Sequence, residues 1–148
     1  MQFSAAASWA LEQFGSADLG DQRLTRRLTG YAALAAANPA ASSPGQCGCW
    51  KQTKGAYRLF DHDAATHDAV IAPHVAQSRA AAAACRVVLH VSDTTTLSFD
   101  HPHTAGLGPP SAGGAGGQGM LLHNTLAVDV SGGIDAPPRV LGLTHQQL

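Results

Sequence analysis

VVLHVSDTTTLSFDH, residues Val87 to His101, opens as a β-strand and runs into an aspartate followed by three threonines. Val87, Leu89 and Val91 alternate with Val88 and His90, and β-branched residues favour strands. Side chains repeat every second residue along a strand, so Asp93 falls in register with Val87, Leu89 and Val91. The expectation is a strand that stops at Asp93, with a carboxylate at the end of its apolar side. Two roles fit that position. Asp and Thr commonly supply turn chemistry at a strand end, and a carboxylate on a rigid strand is also a good metal or catalytic group.

The rest of the chain sets the frame for that carboxylate. Its 148 residues can build one domain or two small ones around a real core, and 45% hydrophobic against 13% charged residues is not a disordered composition. No apolar run approaches a membrane span. The start, MQFSAAASWALEQF, lacks a cationic segment and carries Glu12 early, which reads against a signal peptide. Three cysteines leave an odd thiol and point to a reducing compartment, with the cytoplasm expected. Cys47-Gly-Cys49 lacks the second ligand pair that a structural zinc site needs. His101 and His103 read as solvated imidazoles on a loop.

Charge is unevenly spread. Residues 1–60 hold Arg23, Arg26, Arg27, Lys51, Lys54 and Arg58 against Glu12, Asp18 and Asp21, a net +3. Residues 61–148 hold three arginines against seven aspartates, a net −4. A positive front half on a chain of net charge −1 suggests that this half meets a polyanion.

Working back from the strand, Thr66–Ala84 predicts a helix that Pro73 kinks or begins. About Cys49 to Phe60 predicts another, with Trp50, Thr53, Tyr57 and Phe60 on one face and Lys51, Lys54 and Arg58 on a second. ANPAASSPGQCG, Ala37 to Gly48, reads as a loop. The helix before it starts at a cap from Asp18 or Asp21 and runs to about Ala37. Leu24, Leu28, Tyr31 and Ala35 form its apolar stripe, and Arg23, Arg26 and Arg27 lie to one side. Residues 3–14 predict a short first helix. Beyond the strand, PPSAGGAGGQG is a glycine-rich loop without the ending of a phosphate loop. MLLHNTLAVDV and RVLGLTHQQL then predict an antiparallel strand pair around a turn at Ser131-Gly-Gly.

Leu19-Gly-Asp-Gln-Arg23 with Arg27-Leu28, Lys54-Gly-Ala-Tyr-Arg-Leu-Phe60, Val91-Ser-Asp-Thr-Thr-Thr-Leu-Ser-Phe99, Leu122-His-Asn124, and Leu141-Gly-Leu with His145-Gln146 occur in this order. In these blocks the chain resembles the N-terminal part of bacterial DDE transposases of the IS-four type, which include the transposase of the Tn-five element. The resemblance implies an α+β chain: a helical domain over residues 1–63 that binds the inverted-repeat ends of an element, then, over 64–148, a linking helix and the first three strands of an RNase H-like catalytic core. It implies that Asp93 is the first of three catalytic carboxylates and a ligand of Mg²⁺ or Mn²⁺. Arg23, Arg26, Arg27, Lys51, Lys54 and Arg58 are the expected DNA contacts. A homodimer or a full-length transposase is a possible further partner, with no membrane.

The second Asp and the Glu of that family lie beyond a third strand, and this sequence ends at Leu148. One carboxylate holds two magnesium ions poorly, so the expectation is a truncated, incomplete core without strand cleavage of its own. A non-catalytic DNA-binding regulator, blocking element ends or a full-length enzyme, would use the same cations and leave Asp93 idle.

Overall fold

The computed structural model describes residues 4–99, 106–109 and 118–148. His101, His103 and most of the glycine-rich loop lie outside these residues. The chain divides into two compact units, residues 1–77 and 78–148. The first is helical and the second is built on a three-stranded antiparallel sheet, an α+β arrangement.

In the first unit, α1 (Ala5–Phe14) starts where the Ser4 hydroxyl accepts from the Ala7 N–H at 3.2 Å. The Leu-Gly-Asp-Gln-Arg block then acts as a capping device. Leu19 is buried, Gly20 takes a left-handed φ of 72°, and Asp21 caps α2 (Gln22–Ala37) by accepting from the Arg23 N–H at 2.8 Å. A side chain at Gly20 would be strained by that φ. Leu24 and Leu28 point inward from α2 and meet Ala17, Leu19 and Leu59, with Phe14 and Val70 packed around them.

Ala37 to Gly48 is not all loop: Ser43–Cys47 forms a short helix, α3. Pro44 sits in its first turn, where the missing N–H is harmless. Gly48, at φ 68°, closes it by donating to the Pro44 carbonyl. Tyr31 fixes α3 against α2, since its hydroxyl donates to Gln46 Oε1 at 2.8 Å and lies 3.2 Å from Ser43 Oγ.

The next helix, α4 (Trp50–Phe60), turns a face to the core other than the aromatic one. Thr53, Ala56 and Leu59 are buried, while Trp50, Tyr57 and Phe60 are 73%, 48% and 52% exposed. The reason is steric. Small Ala56 and Thr53 let α4 approach α2 closely, with Leu59 filling the gap, and the bulky rings are left outside. Phe60 partly recovers contact by an edge-to-face pair with Tyr31, ring centroids 5.0 Å apart.

Helix α5 (His67–Ala83) crosses the boundary between the units, with Pro73 in its interior. Thr66 Oγ1 accepts from the Ala69 N–H at 3.2 Å and caps its start.

In the second unit, β1 (Val88–Phe99) does not stop at Asp93. The three threonines are themselves β-formers, and β2 (Gln118–Asp129) offers an unbroken partner from Val88↔Asp129 to Phe99↔Gln118. β3 (Arg139–Gln147) pairs with the other side of β2, giving the order β1-β2-β3. Register shifts opposite Thr125/Leu126 and Ala127/Val128 bulge β3, with Gly142 at φ 129° between them.

Residues opposite one another share a sheet face. One face therefore carries three rows: Leu89, Val128 and Val140; Val91, Leu126 and Leu143; Asp93, Asn124 and Gln146. Leu89, Val91 and Val140 are all more than half exposed.

The turn after β2 is held by Asp129. Its Oδ1 accepts from the Ser131 N–H at 2.9 Å and its Oδ2 from Arg139 Nη2 at 3.1 Å. Hydrogen bonds from Ser131, then from Arg139, hold this carboxyl well below the usual carboxylate range. A carboxyl with a depressed folded pKa stabilises the fold above its unfolded value of about 4 and loses that contribution as pH falls through the folded value. The urea midpoint of Asp129→Asn should thus lie below wild type at pH 7 and converge with it in acid. A gap that stays constant down to the lowest pH at which the chain remains folded would contradict this.

Candidate nucleic-acid interface

All six cations of the first unit are exposed, but the fold divides them. Arg23 is already partnered: its Nη2 lies 2.9 Å from Asp21 Oδ2, and its Nε donates to the same carboxylate at 3.0 Å. The Arg23 hydrogen bonds hold Asp21 below its ordinary pKa. Arg26 and Arg27, one residue apart and so about 100° apart around α2, lean to opposite flanks. Arg26 lines a hollow with Leu11, Asp18 and Thr29 on the α1 side.

Arg27 lines a different groove of about 750 Å³, between α2 and α4. Gly30, Tyr31 and Leu34 of α2 form one wall with it. Lys51, Lys54 and Arg58 of α4 form the other, since positions i, i+3 and i+7 share a helix side. Cys47 and Cys49 lie at one end. None of the lining residues is acidic. Among the described residues, none of these four cations is in an ion pair. Four unneutralised cations along one trough make a site for an extended anion.

Glycines keep the trough open. A Cβ built at Gly30 or Gly55 meets nothing within 4 Å, and glycine in a helix interior is unfavourable by about 1 kcal/mol relative to alanine. Gly30→Leu should therefore leave the thermal midpoint unchanged or higher while it fills the groove and weakens anion binding. Full binding by a correctly folded Gly30→Leu would place the anion elsewhere.

In the second unit, Asp93 is exposed and stands mid-strand opposite Asn124. Gln146 Nε2 donates to Asn124 Oδ1 at 2.6 Å, so the Asp-Thr-Thr, Leu-His-Asn and His-Gln blocks meet as one polar row at the edge of an apolar sheet face. In the sequence Asp93 and Asn124 stand 31 positions apart and Asn124 and Gln146 22 apart; the register alone brings them together. Among the described residues, no three His, Cys, Asp or Glu side chains converge as a metal site. No helix of the described residues is long and apolar enough to cross a membrane.

Comparison with known families bears on the first unit. Residues 6–65 match the family of transposase DNA-binding domains. The transposase match contains α2 to α4, all of α1 but its first residue, all six cations, and every residue lining the α2–α4 groove except Ser4. It supports a DNA-binding part of a transposase, with DNA as its partner. Two features of this DNA-binding segment escaped pattern reading. One is the pairing of Arg27, rather than Arg26, with the cations of α4. The other is the outward turn of Trp50 and Tyr57. The inward-facing Leu24 and Leu28 signal the first, because they orient α2; the alanine and threonine of α4 give a weak signal of the second.

Proposed function

We propose that this chain is the N-terminal part of a cut-and-paste transposase of the IS-four type. Its helical unit grips the inverted-repeat ends of an element through the α2–α4 groove. The observation that carries this reading is that groove: four exposed, unneutralised cations on two packed helices, no acidic residue in the lining, and a transposase DNA-binding match over the same residues. Arg27, Lys51, Lys54 and Arg58 hold phosphates and set the duplex in register. Arg26 contributes from the α1 side, and Arg23, neutralised by Asp21, contributes least.

A duplex titrated over a salt series tests this. Each neutralised phosphate contributes about 0.9 to the slope of log K against log salt, so four contacts give a slope near −3.6. A flat response would remove the groove from the account.

For the second unit the proposal is the opening sheet of an RNase H-like core, with Asp93 as its first catalytic carboxylate. The resemblance of the Asp-Thr-Thr block supports this, together with the exposed carboxylate on a paired strand beside the Asn124 and Gln146 amides. Mg²⁺ prefers carboxylate and water oxygens, and in phosphoryl transfer two such ions activate the attacking oxygen and steady the leaving one. Asp93 would contribute one carboxylate to that pair, with further acidic ligands supplied from outside this sheet. Titration with Mn²⁺, followed by paramagnetic broadening of the amide resonances, should show weak binding centred on Asp93 and absent in Asp93→Asn. Broadening elsewhere that survives the substitution would refute the assignment.

A further inference from the structure

Trp50 is 73% exposed at the first position of α4, although indole is among the most burial-prone of the large side chains. Tyr57 follows two turns later, 48% exposed, and its hydroxyl has no partner among the described residues. Both rings lie beside Lys54. On a helix of 3.6 residues per turn, Trp50 is about 40° from Lys54 on one side, and Tyr57 stands about 20° beyond Trp50 on that same side. The cationic groove lies on the other side of Lys54, so α4 carries a charged flank and an aromatic flank divided by one lysine.

Charge decides what the aromatic flank meets. Its neighbours along α4 are Lys51, Lys54 and Arg58 against one carboxylate, Asp61 at the C-terminal cap a turn beyond Tyr57, so three cations outweigh one acid, and no carboxylate lines the groove. An apolar protein partner would have to bury or neutralise these cations, whereas a nucleic acid offers phosphates for them and π-faces and methyl groups for the rings. The two rings are about 10 Å apart along the axis, the rise of about three base-pair steps.

We propose that Trp50, with Tyr57 beside it, forms a base-contacting ledge on duplex DNA. The indole lies against the bases while the duplex's phosphates occupy the groove of Arg27, Lys51, Lys54 and Arg58. The proposal rests on the DNA reading of the groove and adds to it which side chains touch bases. Groove cations set affinity and salt dependence, and Trp50 supplies a salt-independent contact of the stacking or wedge type.

The chain has two tryptophans, so Trp9→Phe leaves Trp50 as the sole indole. That variant, its helical circular dichroism checked against wild type, is titrated with mixed-sequence duplex DNA and separately with heparin, a polyanion without bases. The expected result is strong quenching and a shift of Trp50 emission with DNA, and saturable binding with unchanged emission with heparin. Trp50→Ala should lower duplex affinity about tenfold with the salt slope unaltered, and Trp50→Phe should restore part of it. Salt-dependent DNA binding with unchanged Trp50 emission would overturn the ledge and leave the groove intact. So would equal emission changes with both polyanions. Failure of the chain to bind either polyanion would overturn groove and ledge together.

Discussion

Replacing Arg27, Lys51, Lys54 and Arg58 together by alanine should remove most of the salt-dependent part of duplex binding. With about 0.9 of slope per phosphate contact, the slope should fall by about 3.6. Between 50 and 200 mM salt that corresponds to about a hundredfold of wild-type affinity, which the variant would never have to lose. Stability should hardly change, because all four side chains are exposed and none is in an ion pair among the described residues. Arg26→Ala, on the other flank of α2, is the matched control and should shift the slope by no more than one contact. A mobility-shift series for the quadruple variant, the control and wild type decides it. If the quadruple variant kept the wild-type slope, or Arg26→Ala alone removed most of it, the groove would not be the phosphate site.

Leu59→Ala should unfold much of the helical unit. Leu59 is 1% exposed and is the α4 residue that meets Leu19, Leu24 and Leu28. Truncating such a leucine costs about 2–5 kcal/mol, from lost burial and the cavity left behind, against a total of about 5–15 kcal/mol for a small domain. The groove needs α4 held on α2, so duplex binding should fall with stability. Leu11→Ala, at a position 56% exposed, should cost far less. Urea denaturation followed by tryptophan emission measures both, since Trp9 and Trp50 lie in this unit. A Leu59→Ala midpoint equal to that of Leu11→Ala would show that this cluster does not hold the unit together.

The helices were legible wherever periodicity and a cap coincided. A cap at Asp18 or Asp21 with the Leu24–Leu28 stripe marked α2 and its end near Ala37, and the structure places the cap at Asp21. Both later strands were legible from alternation and from the turn at Ser131. The short helix α3 was not, because Pro, Ser and Gly compose a helix N-terminus and a loop alike. The end of β1 was misplaced for a related reason. Asp-Thr-Thr-Thr fits a turn locally, and only twelve consecutive partners on β2 keep it extended.

The sequence by itself determined the cations, the aspartate, the two kinds of secondary structure and the blocks that carry the resemblance to transposases, because each is written in residue type and short-range spacing. Tertiary structure decided which cations face one another, which face of α4 is hidden and which amides flank Asp93. Those outcomes depend on how small residues let α4 settle on α2 and on which residue of β2 lies opposite which of β1 and β3. Both are relations between distant segments, and no local pattern carries them.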